Sequence, residues 1–293
     1  MGENILQTNA PLLAFLIPFA PRRTKLKWDL ACRLLHQTLK SIQNSADGNF
    51  CVVVAGNEPP DFEVALDARF CFVSVPPMPP AHPQPAIAGV LDKLSKISAG
   101  WNHAKAKWNP RYVMKLDSDD LISSKLVGWL AQNSGAPGYL ISQGWLWRMN
   151  LRRVLQRTET LDRICGSCLI TRSDLVEQTG PFRTETEGVE LSEENANFAK
   201  ADHYSLVPGS ATSTLLVNDS HQRYAAQFAY LGHQLTAVPF PAVVYRMGNA
   251  DSVSGAKWHI HTLRMLLGAV RRMRPITPGL RQEFMLDAKQ IIK

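Results

Sequence analysis

Long apolar runs are missing from this sequence. The longest fall far short of the roughly 20 residues that a membrane-spanning helix needs, which excludes a bundle of such helices. No basic region followed by an extended apolar core stands at the start, so no signal peptide is expected. Cysteine is scarce and odd in number: Cys32, Cys51, Cys71, Cys165 and Cys168. Cys165 and Cys168 have C-x-x-C spacing but lack the second pair that a structural zinc site requires. They read as strand packing, and a reducing cytoplasm is the expected setting. Acid is also in deficit, with 25 Asp and Glu against 32 Lys and Arg, a net charge of +7. The excess is scattered and no DNA- or RNA-binding motif accompanies it, so nucleic acid is not an expected partner.

What is there reads as an α/β protein. Apolar runs that suit strands buried on both faces occur at Leu12–Ile17, Phe50–Ala55 and Phe70–Val75. An amphipathic helix between the first two is predicted over Thr24–Asn44, with Leu30, Leu34, Leu35, Thr38, Leu39 and Ile42 on one face. This is the pattern of a nucleotide-binding half. The segment Pro76–Pro85, with six prolines in ten residues, reads as a stiff connector. A helix is predicted over Asp92–Ala104, and Gly138–Arg148 reads as one strand with Trp145 and Trp147 on a shared face. Those rings suit either a core or a sugar-stacking surface. Leu235–Arg246 reads as a late edge strand because of its prolines. Lys257–Arg274 reads as a basic helix that covers the core or lies on an anionic membrane.

The chain is organised around Tyr112–Asp120. Tyr112, Val113, Met114 and Leu116 form a strand that ends in Asp117, Asp119 and Asp120, and Ser123 or Ser124 is the expected cap of the next helix. Three acids at the carboxyl end of a central strand repel one another unless a cation sits among them. In an extended chain Asp117 and Asp119 point the same way, which suits a hard divalent ion that keeps positions open for diphosphate oxygens. A bare D-x-D is otherwise an ordinary turn.

Tyr112–Asp120 resembles the D-x-D segment of GT-A-fold glycosyltransferases of the family 2 type. Cys165–Leu175 adds to the resemblance through Gly166-Ser167 and Arg172-Ser173, as do Tyr245, Arg246, Ser252 and Ser254. The resemblance implies a GT-A-like mixed sheet flanked by helices, with a donor half at about 10–125, an acceptor half at about 126–255 and a C-terminal helical extension at 256–293. It implies transfer of a sugar, of hexosyltransferase class, from a UDP- or GDP-linked donor to a saccharide or other hydroxyl acceptor. Asp117 and Asp119 would hold Mn2+ or Mg2+, with His259 or His261 completing the shell, and Asp120 would position the sugar or a metal-bound water. Asp219 would be the general base, although Asn218 stands where the family often has a second acid. Pro18, Ala20, Arg22, Asn57, Asp92, Lys96, Ser118 and the two metal-holding aspartates would contact the donor, and Thr184–Ser213 would form an acceptor-side lid. A nucleotidyltransferase of similar fold and a non-enzymatic nucleotide- or sugar-binding protein remain alternatives. The first would be expected to carry a glycine-rich basic loop after the first strand, and none is present. Peripheral attachment to the inner membrane face through 257–274 is compatible with this reading.

Overall fold

The computed structural model describes residues 10–22, 27–77, 85–148, 151, 153–178, 224–247 and 271–287. Strand β1 (Leu13–Phe19) is buried along its whole length. Helix α1 (Trp28–Gln43) leads to β2 (Phe50–Gly56), and β3 (Phe70–Ser74) follows. Helix α2 (Pro85–Lys107) leads to β4 (Tyr112–Lys115). The chain continues through β5 (Leu121–Ile122), α3 (Leu126–Gln132), β6 (Gly138–Leu140), β7 (Gly144–Arg148), β8 (Val154–Thr158) and β9 (Leu169–Arg172). Later come α4 (Tyr224–Tyr230), β10 (Thr236–Ala237), β11 (Val243–Met247), β12 (Met273–Pro275) and α5 (Pro278–Phe284).

These strands make two sheets, β10-β6-β9-β4-β1-β2-β3 and β12-β8-β7-β11-β5. Within the first, β3, β2, β1 and β4 are mutually parallel, and β9 runs antiparallel between β4 and β6. The fold is therefore α/β with mixed sheets flanked by helices. The continuous apolar runs have their explanation in two-sided burial. Leu13, Phe15 and Ile17 share a core with Leu35 and Leu39 of α1, while Ala14 and Leu16 face Ile97, Trp101 and Ala104 of α2. A third core joins Leu121, Trp145, Trp147, Leu155 and Val244 of the second sheet to Leu34 of α1 and to Phe284 and Leu286. Helix α1 thus contributes to the cores of both sheets.

Several local expectations change. Gly138–Arg148 is two strands in different sheets, because the chain leaves the first sheet after Leu140 and enters the second at Gly144. Leu235–Arg246 divides in the same way. β10 is the expected edge strand, but β11 lies inside the second sheet between β7 and β5, and Pro239 and Pro241, which have no N–H to donate, occupy the crossing. Trp145 and Trp147 are 9% and 2% exposed, so they are core residues and not a sugar-stacking platform. Helix α1 starts four residues later than predicted. Helix α2 is longer than predicted and opens on Pro85, whose fixed φ suits a first helical turn. Ser123 does not cap α3; its hydroxyl donates to Glu283 Oε1 at 2.6 Å and accepts from the Lys125 N–H. Helix α4 ends before Gly232, whose φ of +76° is the left-handed conformation that glycine adopts without strain.

In the tail, β12 pairs antiparallel with β8, and α5 is capped by Thr277, whose Oγ1 accepts from the Leu280 N–H. Where a helical extension was predicted, the described part is the helical pair Arg271 and Arg272 followed by a strand and a helix, and Met273 and Arg274 belong to the strand. Residues 257–270 of the predicted basic helix lie outside the described residues. The tail is joined to the centre of the chain. Asn44 Nδ2 donates to Gln282 O, Gln37 Nε2 donates to Asp287 O, and the Ser124 N–H donates to Glu283 O. No helix among the described residues is long and apolar enough to cross a membrane.

Candidate active site

In the strand order β3-β2-β1-β4, the chain leaves β1 toward β2 and later returns on the other flank to form β4. The strand order reverses between β1 and β4, and open α/β sheets leave a crevice at the carboxyl ends of such a pair. β4 ends at Lys115, and the Leu116 N–H still bonds to Leu16 O, so Asp117 is delivered to that edge.

Asp117 to Asp120 is a turn closed by the Asp120 N–H on Asp117 O at 3.1 Å, not the extended segment assumed from alternation. Two elements fix it from below. From α1, Thr38 Oγ1 donates to Ser118 O at 3.0 Å, and Ser41 Oγ accepts from the Ile122 N–H. From the loop before β9, Ser167 Oγ accepts the Asp117 N–H at 2.9 Å and donates to Asp120 Oδ2 at 2.6 Å. Cys165 Sγ also donates to Asp120 Oδ2, and the Arg246 N–H reaches Oδ1 at 3.4 Å.

The three acids therefore separate by environment. Asp120 is fully buried. Burial raises its pKa well above the usual carboxylate range, the charges of Asp119 and Asp117 add to this, and the hydrogen bonds from Ser167 and Cys165 only partly oppose it. A carboxyl turned inward with its oxygens engaged cannot touch a sugar or a metal-bound water. The expected role of Asp120 is corrected to support of the turn. Asp117 and Asp119 are partly exposed. Beneath them the buried Arg246 donates from Nη1 to Gln37 Oε1 at 2.7 Å and from Nη2 to Leu34 O at 3.4 Å, while its Nε has no hydrogen-bond partner. Burial lowers the Arg246 pKa to about 10, against the opposing pull of Asp119 and Asp120.

Helix α2 meets the turn from above. Lys93 Nζ lies 2.5 Å from Asp117 Oδ1, with the two side chains 44% and 28% exposed. Burial disfavours the ammonium, but the charges of Asp117, Asp119 and Asp120 outweigh that and hold its pKa above the usual lysine value. One turn along, Lys96 is 1% exposed and bonded to Asp92 Oδ2 at 2.6 Å. Gly166 faces the Lys93–Asp117 pair: a Cβ there would stand 3.6 Å from Asp117 Oδ2 and 3.9 Å from Lys93 Nζ. Its absence leaves a small cradle beside the exposed carboxylate.

The remaining donor candidates lie at the exits of β1 and β2. Pro18 is buried within β1 and Ala20 is half-buried. Arg22 Nη2 bonds to Asp61 Oδ1 at 2.5 Å, its N–H bonds to Glu58, and its guanidinium lies over the Trp28 ring. Asn57 Nδ2 donates to Val75 O at 2.9 Å, which fixes its amide and leaves Oδ1 buried without a partner. Asp219, His259, His261, Ser252, Ser254 and the whole Thr184–Ser213 segment lie outside the described residues. The Cys165 and Cys168 thiols are both buried and unbridged, and burial raises their pKa values. That is the setting of inert cysteines and not of a redox pair.

Among the described residues, no three His, Cys, Asp or Glu side chains gather as a ligand set. Mg2+ at phosphate-handling sites takes one or two carboxylates plus substrate oxygens, and Asp117 beside Gly166, with the partly exposed Asp119 two residues on, fits that smaller donor set. Sequence reading named Asp92 and Lys96 of this helix but not the contact of Lys93 with Asp117. It also missed Gln37, Cys165 and the hydrogen-bonding role of Ser167.

Comparison with protein families finds no match, and neither does comparison with curated proteins. Among solved structures, the chain is similar to S. aureus TarS 1-349, with 12% sequence identity, a TM-score of 0.42, and coverage of 80% of this chain and 60% of that one. The chain thus spans less than two thirds of that TarS chain. A likeness of this size brings neither activity nor substrate with it.

Proposed function

We propose that this chain is a GT-A-like glycosyltransferase that moves a sugar, of hexosyl class, from a UDP- or GDP-linked donor to a hydroxyl acceptor. The observation that carries the reading is the Asp117–Asp119 turn. It is held rigidly at the carboxyl end of β4, where the strand order reverses, with Asp120 buried as its support and Lys93 above it. A partly exposed carboxylate edge for an ion, the Lys93 ammonium and space against a glycine backbone support a site for a diphosphate with its ion.

Asp117 and Asp119 would hold Mn2+ or Mg2+, which when bound neutralises the charge that develops on the departing diphosphate. Lys93 would place an ammonium beside the same phosphates. Asn57, with its fixed acceptor, and Arg22 would line the nucleoside side, together with Pro18, Ala20 and Ser118. Asp92 would hold Lys96 beneath the donor. Asp219 is the proposed base, with His259 or His261 as a further metal ligand. Thr184–Ser213 would cover the acceptor, within an acceptor half at about 126–255. The five unbridged cysteines favour a reducing cytoplasmic setting, with the 257–274 segment as the proposed membrane contact.

Thermal melting against UDP, GDP and nucleoside triphosphates, with and without Mn2+, tests this reading. A shift with UDP or GDP that requires Mn2+ supports it. A shift confined to triphosphates favours a nucleotidyltransferase, and no shift with any nucleotide removes the donor site altogether.

A further inference from the structure

We propose that Lys93 is a built-in stand-in for the divalent ion: it occupies Oδ1 of Asp117 in the unloaded protein, and its displacement couples ion binding to nucleotide binding. The inference rests on the metal-dependent reading of this turn and concerns what holds the turn before any ligand arrives.

The acids at this edge are already matched by cations of the chain. Lys93 Nζ is 2.5 Å from Asp117 Oδ1. The Arg246 guanidinium lies buried below, where Asp119 and Asp120 act on it. Asp120 is fully buried, with Ser167 and Cys165 donating to its Oδ2. The turn therefore needs no added ion to be tolerable. A hard divalent cation would sit about 2.0–2.6 Å from the carboxylate oxygens it binds. With the ammonium still on Oδ1, two cations would share one small group at close range, and their repulsion would be large near a protein surface. One of them must leave.

The structure indicates which. Lys93 is 44% exposed on a four-carbon stem, and the absent Gly166 side chain leaves room beside its Nζ. Lys96 is 1% exposed and tied to Asp92, and Arg246 is fully buried with Gln37 and Leu34 as partners, so neither can turn outward as readily. Once displaced, the Lys93 ammonium is left near the acids but without its carboxylate, and a diphosphate oxygen is the natural replacement. Ion and nucleotide then favour one another, and the coupling is reciprocal by thermodynamic necessity.

The test is a Mn2+ titration of the full chain, read from the electron paramagnetic resonance of unbound Mn2+, with and without UDP or GDP. It compares the unaltered protein with Lys93→Met, Lys93→Gln and Lys93→Arg. The neutral variants should bind Mn2+ about tenfold tighter in the absence of nucleotide. They should also lose most of the gain that nucleotide gives the unaltered protein, while Lys93→Arg retains both behaviours. Glutamine provides a second neutral side chain should methionine disturb α2. If both neutral variants bind Mn2+ no tighter than the parent, or keep its full nucleotide coupling, Lys93 is not the stand-in, although the metal reading survives. If the unaltered protein takes up no Mn2+ even with nucleotide, the metal reading fails and the inference fails with it.

Discussion

Replacing Ser167 with Ala isolates the support under the acidic turn without touching an exposed group. The hydroxyl has two buried duties: it accepts the Asp117 N–H at 2.9 Å and donates to Asp120 Oδ2 at 2.6 Å. Each buried polar group left unpaired costs about 1–3 kcal/mol. Cys165 Sγ still donates to the same carboxylate oxygen at 3.2 Å, so the Asp120 share should fall at the low end. The expected loss is roughly 2–4 kcal/mol in urea unfolding. Its dependence on pH follows from the shifted carboxyl. Burial, then the charges of Asp119 and Asp117, place the Asp120 pKa above its unfolded value, and the Ser167 hydrogen bond opposes that. A carboxyl of this kind stabilises the fold fully below its unfolded pKa of about 4 and loses that contribution as pH rises toward the folded value. Removing Ser167 raises the folded value further, so the loss extends to higher pH. The cost of the substitution should therefore be larger at pH 8 than at pH 5. The exposed Ser74→Ala should change stability by less than about 0.5 kcal/mol and serves as the control. A Ser167→Ala cost below that level, or one that shrinks as pH rises, would refute the assignment of Ser167 as the donor that holds the Asp120 carboxylate.

Other substitutions test the frame and the site. Gly89→Ala, at an exposed position in α2 with nothing within 4 Å of the added Cβ, should stabilise by about 0.5–1 kcal/mol. Gly144→Ala should destabilise by about 1–3 kcal/mol, because its Cβ would lie 2.7 Å from Leu161 and 3.0 Å from the Val243 carbonyl oxygen. Denaturant midpoints read both, and equal effects would contradict the packing described. Thr277→Ala removes the cap of α5 and should cost about 1 kcal/mol; no change in the midpoint would mean that the tail adds nothing to cooperative unfolding. Asp117→Asn should abolish the Mn2+-dependent melting shift with UDP or GDP while the protein stays folded, and an intact shift would remove Asp117 from the donor site.

The sequence discloses those parts of the fold whose cause is local. Runs such as Leu13–Phe19 and Phe50–Gly56 are apolar at every step because they are covered on both faces, and their shortness marks them as strands and not buried helices. The strand ahead of Asp117 is legible for the same reason. Gly138–Arg148 and Leu235–Arg246 mislead because apolar patterning runs through the point where the chain changes sheets, and patterning carries no record of which neighbour a strand will find. Asp117, Asp119 and Asp120 look equivalent in a string of letters. What distinguishes them lies far away in sequence: Lys93 is 24 residues before Asp117, Ser167 is 47 after Asp120, and Arg246 is 126 after it. Ser167 and Lys93 are ordinary residues with ordinary neighbours, and their importance exists only once the turn is folded between them.

The attachment of the tail sets an order on assembly. Gln37 grips Arg246 with one end of its amide and the Asp287 carbonyl with the other, and Glu283 reaches Ser123 and Lys125 just beyond the acidic turn. A chain still emerging from the ribosome can build β1 to β4 early, yet the floor beneath its carboxylates stays unfinished until the last of these residues has been made.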